Sequence, residues 1–290
     1  MSEYSLIMEG MTERRFRFGT MAAGGRDAAA WTAAARRAED LGFATLLTAD
    51  TLATPAPLPA LAAAAAATST LRVGSFVLSV ANRPVAQIAW EAASLAFLTG
   101  DRFELGLGAG RPGGEADAAR LGVPYGTPAE RIDRLARVLD AVAAPPEGVF
   151  GGTGRPPRVL MAASRPRLLR LAGERADTVA FGVSPLAGED DLAGLVGVVR
   201  DAAGDRFDRV ELCSSVHVVG DEIPGWLSAR LGMSAAEMAA AGSAALLTGT
   251  PQRMADVLRR RRDELGISYV TVPETFAEAF APVVELLAGN

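Results

Sequence analysis

From residue 16 to its end the chain alternates short runs of β-forming residues with longer stretches of helical periodicity, and this alternation limits the fold more than any other feature. The strand-like runs are Phe16–Met21, Ala44–Thr48, Leu71–Leu78, Phe103–Leu107, Val159–Ala162, Thr178–Phe181, Val210–Val218 and Tyr269–Val272. Helices are expected to begin near Asp27, Leu58, Val85, Pro128, Pro166, Asp191 and Pro251, with a last one from Thr275. Strands that run parallel need a crossover of a dozen residues or more, usually a helix. Eight strand-then-helix units therefore predict an α/β chain folded as a (β/α)8 TIM barrel, with its functional face at the C-terminal ends of the strands. The expected organisation is a flexible tail over residues 1–15 and a single barrel domain over 16–290.

Helix boundaries have local causes. In TPAERIDRLARVLDAV, Thr127 is an N-cap, Pro128 suits the first turn, and Glu130 stands where a capping box needs it. Ile132, Leu135, Val138 and Leu139 then recur at helical spacing and predict one apolar stripe against the strands. TGTPQRMADVLRRRRDELG repeats the design, with Thr250 as cap, Pro251 at the start and Gly266 at the end. Arg259–Arg262 are read as a solvated outer face of that helix.

Two segments break the rhythm. Residues 143–157 (AAPPEGVFGGTGRPP) are rich in Gly and Pro and predict a loop into the fifth strand. Residues 221–249 form an insertion after the seventh strand, with a helix expected over Ser234–Ala241; insertions at this end of a barrel shape or cover the site, so it reads as a lid.

Composition narrows the function. With 290 residues and 49% apolar content the chain can bury one large core. Lys and Arg number 29 against 34 Asp and Glu, so no surplus of cations is available to neutralise a nucleic-acid backbone, and a small-molecule partner is expected. Cys213 is the only cysteine and His217 the only histidine, which makes no ligand set for a metal. The start MSEYSLIMEGMTERR lacks the layout of an export signal. The longest apolar tract, Leu58–Ala67, is half of the roughly 20 residues a membrane helix needs. A soluble cytoplasmic protein without membrane contact is expected.

Three stretches together resemble the luciferase-like monooxygenase superfamily, and within it the branch that uses coenzyme F420. They are LGFATLLTAD with PLPALAAAAAATSTLRVGSFVLS, then RPVAQIAWEAASLAFLTGDRFELGLGAGRPGGE, then LGVPYGTPAERIDRLARVLDAV. Weaker likeness in MAASRPRLLRLAGERADTVAFG and TGTPQRMADVLRRRRDELGISYVTVP extends it over nearly the whole chain. The resemblance implies a barrel holding a flavin or deazaflavin across its strand ends, with a non-proline cis peptide beneath the ring that falls between Phe76 and Val77. It also implies a phosphate site at the end of strand five and the next helix start, over Ala162, Ala163, Ser164 and Arg165, where exposed N–H groups and the helix dipole favour an anion. Gly182 matches a further cofactor contact, with Phe181 beside it as a packing residue. Dimerisation through helices is a further implication.

The chain also departs from that branch. Where many members end strand two in Asp-His, this one has Asp50 and Thr51, so an imidazole that exchanges protons near neutral pH is replaced by a hydroxyl that does not. Where a carboxylate and an asparagine follow the GxGxG turn, Arg111 and Gly114 stand instead, and Arg111 either orients an anionic group or lies on the surface. The losses point to a reductase, in which reduced F420 delivers hydride to an electron-poor C=C or C=N bond and the protein mainly positions the partners. Asp50 and Tyr125 are the weak-acid candidates. A two-component monooxygenase using reduced FMN is the alternative, and a catalytically idle flavin-binding barrel the third reading. His217, inside VHVV, either packs within its strand or points into the barrel mouth. GxGxG at 106–110 lacks the dinucleotide-fold spacing and reads as a tight turn near the cofactor.

Overall fold

A computed structural model describes residues 14–22, 24–152 and 155–290 of the chain. Its strands are β1 (Arg17–Met21), β2 (Thr45–Thr48), β3 (Arg72–Ser75), β4 (Leu78–Ser79), β5 (Phe103–Gly108), β6 (Arg158–Ala163), β7 (Thr178–Phe181), β8 (Glu211–Ser215), β9 (Val218–Val219), β10 (Leu246–Leu247) and β11 (Ile267–Pro273). The ring runs β3-β2-β1-β11-β8-β7-β6-β5 and closes because β3 and β4 both pair with β5, so the third position of an eight-strand barrel is shared by two short pieces. Every pairing is parallel, for example Phe18 with Val270, Val73 with Phe103 and Met161 with Val179. The expected (β/α)8 barrel is the fold observed.

Two strands differ from their expected bounds. The third, expected as one run over Leu71–Leu78, is interrupted at Phe76–Val77, whose peptide bond is cis. The seventh, expected over Val210–Val218, leaves the barrel after Ser215, and Val218 and Val219 pair with β10 inside the insertion. A strand reads continuously along the sequence whether or not its neighbour follows it, and only the partner's register reveals where the ladder stops.

The helices are α1 (Ala28–Asp40), α2 (Pro57–Ala66), α3 (Val85–Leu98), α4 (Gly114–Arg120), α5 (Pro128–Ala143), α6 (Pro166–Arg175), α7 (Glu189–Ala203), α8 (Gly225–Leu231), α9 (Ala235–Ala240), α10 (Pro251–Leu265) and α11 (Ala277–Leu287). The α5 capping box is present: Thr127 Oγ1 accepts from the Glu130 N–H at 3.3 Å while the Glu130 carboxylate accepts from the Thr127 N–H at 2.7 Å. Buried Leu135, Val138 and Leu139 form the stripe facing the sheet. At α10, Thr250 caps the start and Gly266 ends it with φ +74°, in the left-handed region. The arginine run of α10 needs correction. Arg261 is buried and its Nη2 pairs with Glu189 at 2.6 Å, and the Arg262 guanidinium lies 4.8 Å over the Phe16 ring. Because α10 packs between α7 and α11, half of the run faces neighbours rather than water.

The interior is layered. Between strands and helices lies the main core, which includes Phe18, Trp31, Leu61, Ile88, Leu135 and Phe280. Inside the ring a smaller cluster of Leu47, Leu160, Ala180, Cys213 and Tyr269 fills the barrel axis. Below it, at the N-terminal strand ends, the buried Glu104 carboxylate pairs with Arg17 and Arg72, Arg17 also pairs with Glu211, and the Arg17 guanidinium stacks 3.9 Å over the Tyr269 ring. This charged plug closes one end of the barrel and leaves the C-terminal end for the site.

Of the expected tail, residues 1–13 lie outside the described residues. Arg14 is anchored at the barrel floor, donating to the Phe207 and Val210 carbonyls at 2.8 Å and to Gly266 at 3.2 Å. In the insertion, α9 begins at its Ser234 cap as expected, whereas α8 had no sequence signal that stood out. The Ser243 hydroxyl donates to Pro185 O at 2.6 Å and Ala244 N–H to Ala187 O at 2.8 Å, tying the insertion to the loop after β7. The loop expected over 143–157 carries no helix or strand among its described residues after α5.

Before β3 a single carboxylate organises the backbone: Glu39 accepts from the N–H groups of Ser69, Thr70 and Leu71 and from the Thr70 hydroxyl. These donors, the Thr70 backbone N–H foremost, hold its carboxyl down at about 2. A depressed folded-state value stabilises above the unfolded value near 4.5 and is lost as pH falls toward 2. A carboxyl-carbon NMR titration is expected to show Glu39 still ionised at pH 3 in the native protein, and a midpoint near that of a free glutamate would contradict the geometry.

Candidate active site

At the C-terminal ends of the strands a cleft of about 330 Å³ is walled by residues from barrel strands two to six. Strand two contributes Asp50 and Thr51. The two Asp50 oxygens are fully engaged: Arg83 donates to Oδ1 at 3.0 Å and to Oδ2 at 2.7 Å, and the Ser79 N–H donates to Oδ2 at 2.9 Å. This clamp joins the ends of strands two and three. Thr51 Oγ1 accepts from the Ala53 N–H at 3.2 Å.

Strand three brings Phe76, Val77, Ser79 and Asn82 to the cleft. Strand four follows with Gly106–Gly110, where the glycines admit the third strand: a Cβ on Gly106 would stand 1.8 Å from the Ser75 carbonyl oxygen, and one on Gly108 would stand 2.7 Å from a Val77 methyl. The GxGxG run, expected as a tight turn near the cofactor, is a close-approach device where its glycines meet the third strand. Arg111, on the rim, pairs with Asp117 at 2.6 Å. Strands five and six supply Ala162, Ala163, Ser164 and Gly182, the Gly182 N–H donating to Ala163 O at 2.9 Å. Ser164 and Gly182 also border a second, more open groove of about 480 Å³ that contains Arg165, where α6 begins without a side-chain cap.

Nine of the twelve residues singled out in the sequence thus meet in one cleft: Asp50, Thr51, Phe76, Val77, Arg111, Ala162, Ala163, Ser164 and Gly182. Three do not. Arg165 lies in the adjoining groove, and Phe181 is buried in the core between sheet and helices. Tyr125 sits behind the glycine turn, where its hydroxyl donates to Arg111 O at 2.6 Å and the Arg131 guanidinium covers its ring at 4.2 Å. It braces the turn, and its proton is already committed. Asp50, the other weak-acid candidate, reaches the cleft with both oxygens already accepting. His217 borders neither cavity and meets Trp226 edge-on at 6.3 Å between ring centroids. Sequence reading missed Arg83, Asn82, Ser79 and Asp117. Arg83 pairs with a residue 33 positions earlier, so nothing local marks it.

The walls suit a flat, mostly apolar ring with a polar edge. Ala49, Phe76, Val77, Ala109, Ala162 and Leu168 supply apolar surface. Ser79 Oγ and Asn82 Oδ1 are buried in the cleft wall without a hydrogen-bond partner, a state that costs free energy until a partner arrives. A flavin or deazaflavin, with ring carbonyls and an N–H, fits this donor and acceptor set. Among the described residues no group of His, Cys, Asp and Glu is arranged to hold a metal, and no helix is long and apolar enough to cross a membrane.

The sequence profile of the luciferase-like monooxygenase family matches residues 14–224. The chain belongs to that family. A comparison with curated protein sequences finds no match. Among solved structures, this luciferase-like chain is similar to the coenzyme F420-dependent tetrahydromethanopterin reductase of Methanopyrus kandleri, with a TM-score of 0.69, 18% identity, and 95% of this chain and 99% of that one covered. It is also similar to a monooxygenase of Streptomyces bottropensis, with a TM-score of 0.70, 19% identity, and coverage of 94% and 98%. A type II Baeyer-Villiger monooxygenase component of Pseudomonas putida in complex with FMN gives a TM-score of 0.70, 16% identity, and coverage of 94% and 98%. At such identities the likeness shows the fold; one of these neighbours is named for coenzyme F420 and another is in complex with FMN. The cis peptide that the resemblance implied is found at Phe76–Val77.

Proposed function

We propose that this luciferase-like protein is a reductase that uses reduced coenzyme F420 to deliver hydride to an electron-poor C=C or C=N bond of a small organic substrate. The observation that carries the reading is that the charged groups of the cleft are already paired, Asp50 with Arg83 and Arg111 with Asp117. No imidazole borders the cleft to relay a proton. Chemistry that needs only positioned partners and a proton from water at the open mouth agrees with such a site better than chemistry that needs a resident base.

When bound, the deazaflavin supplies the hydride, and the remaining work belongs to the chain. Phe76 and Val77 support one face of the ring. Ser79 and Asn82 offer hydrogen-bonding groups to its polar edge. Ser164, with the backbone at the start of α6 and Arg165 beside it, holds the phosphate. Asp50 and Arg83 keep the ends of strands two and three in register, and Thr51 and Arg111 border the space left for substrate.

The second reading, a monooxygenase fed with reduced FMN, is favoured by the family name and by the FMN-bound neighbour. Fluorescence titration with F420 and with FMN, each oxidised and reduced, separates the readings. Selective binding of F420, with oxidation of the reduced form by a conjugated enone such as 2-cyclohexen-1-one, is the expected result. Selective binding of FMN with oxygen uptake would install the second reading, and binding without turnover would leave an idle flavin-binding barrel. Binding of neither would remove all three.

We also propose that the protein is a homodimer joined through α3. α3 has one acid in fourteen residues and leaves Trp90 54%, Phe97 52% and Leu98 72% exposed, with Phe150 at 44% packed edge-on against Phe97. A helix apolar on all sides is normally covered. Light scattering after size exclusion is expected to give twice the chain mass for the native protein and the single mass for Trp90→Glu/Phe97→Glu, while a native monomer would refute the interface.

A further inference from the structure

Along β1 successive side chains alternate between the barrel axis and the helix layer. Arg17 stacks on Tyr269 and Met21 packs on the axial cluster, whereas Phe18 lies in the core beneath the helices, and Thr20 faces the same way as Phe18. Thr20 is 1% exposed, and its hydroxyl has no hydrogen-bond partner. It lines a cavity of about 440 Å³ between α1 and α11, large enough for a small organic molecule and separate from the strand-end cleft. Alanine methyls form much of the wall, Ala33 and Ala34 from α1 and Ala277 from α11, and the charged residues are Arg37, Glu274 and Glu278. Arg37 and Glu278 pair with each other and cancel. Glu274 has no hydrogen-bond or ion-pair partner among the described residues, and burial pushes its carboxyl up from the ordinary value. The cavity therefore combines one uncompensated acid with one buried, unmet hydroxyl in an apolar setting.

We infer that this cavity is a second ligand site, for a small primary alkylammonium ion. A buried hydroxyl without a partner costs free energy that an arriving donor recovers. The two Glu274 oxygens and the Thr20 hydroxyl offer three acceptors, as many as a primary ammonium has donors. A short aliphatic tail then lies on the alanine methyls and leaves water. A calcium ion matches poorly, because it takes roughly six to eight oxygen ligands and the apolar wall supplies none. An anion is repelled by Glu274, and a neutral alcohol of the same length leaves that charge unmet. The site stands on residues outside the cleft, so it holds or falls independently of the proposed reaction.

The test is calorimetric titration of the full-length protein with n-butylammonium, n-butanol, butyrate and butyltrimethylammonium. Butylammonium is expected to bind saturably at one site, about tenfold more tightly than the alcohol or the trimethylated cation, which keeps the charge and loses the donors, while butyrate does not bind. Glu274→Gln is expected to weaken butylammonium about tenfold and Thr20→Val about fivefold. Thr20→Val keeps the branched shape and removes the unmet hydroxyl, so its melting temperature should match or exceed that of the native protein. Glu285→Gln makes the same change of charge on an exposed position of α11 outside the cavity and should leave the affinity unchanged. The inference is overturned if butylammonium does not bind, if amine and alcohol bind equally, or if Glu274→Gln and Glu285→Gln have the same effect. Full affinity in a folded Thr20→Val protein would overturn it as well, and Glu274→Gln decides the matter should that variant not fold.

Discussion

Glu104→Leu is expected to cost about 3 kcal/mol of stability and to lower the melting temperature by roughly 6–12 °C. The carboxylate is 3% exposed at the barrel floor and shared between Arg17 and Arg72. Removing it leaves two guanidinium groups short of a partner in a low-dielectric setting, and breaking a buried pair from one side is far more damaging than replacing both halves with apolar groups. Arg17 keeps its second partner, Glu211, at 2.7 Å, which holds the loss below the top of the usual range. Urea unfolding of the native protein and of the variant reads the difference directly, and a change under about 1 kcal/mol would mean that Glu211 alone satisfies the plug. The pH dependence has a definite sign. Burial pushes the Glu104 carboxyl up, but Arg17 and Arg72 pull it further down, and the net value lies below the ordinary carboxylate range. Its contribution is therefore present above the unfolded value and lost as pH falls through the folded one, so the gap between native protein and variant should narrow below about pH 4.

Gly106→Ala is expected to be the most damaging single methyl group in the barrel. Its Cβ would stand 1.8 Å from the Ser75 carbonyl oxygen and 2.8 Å from the carbonyl carbon, both backbone atoms that no rotamer change moves. Ser75 Oγ is also bonded to both sides of Gly106, donating to its carbonyl and accepting from its N–H at 2.9 Å. The strands must separate or the ladder must break, at a cost of about 3 kcal/mol or more, with loss of cofactor binding. Gly108→Ala meets only a Val77 methyl at 2.7 Å, so it should fold at a cost of about 1–2 kcal/mol while displacing a residue that lines the cleft. Gly194→Ala in α7, where an added Cβ meets nothing within 4 Å, should be neutral or stabilising by up to about 1 kcal/mol. Denaturant midpoints in that order would support the close-approach reading, and a Gly106→Ala protein of native stability would end it.

The site was partly legible along the chain because strand ends in a parallel barrel all point one way. Asp50, Thr51, Ser164 and Gly182 follow strand-like runs and Phe76 and Val77 lie near the end of one, and they meet in the cleft for that reason. What these residues do there was less legible. Asp50 reads as a weak acid along the chain, and the fold adds that Arg83 clamps it, brought close by a loop and a strand rather than by spacing. Tyr125 looked like a second acid, and the backbone carbonyl of Arg111 had already taken its hydroxyl. Arg261 looked solvated because helical spacing gives a face without saying what packs on it; Glu189, 72 positions away, supplied the answer.

Local chemistry dictated the elements: Thr127 and Thr250 start their helices, Gly266 ends one, and the run of eight β-forming segments separated by helices admits few closed arrangements other than the barrel. These effects act over a few residues, and so they are written in neighbouring letters. Partnership across the barrel was a different matter. The ion pairs of the floor, the clamp on Asp50, the break in the third strand and the meeting of cleft and groove each join residues tens to nearly two hundred positions apart. Their energies depend on distance and burial, which exist only once the ring has closed.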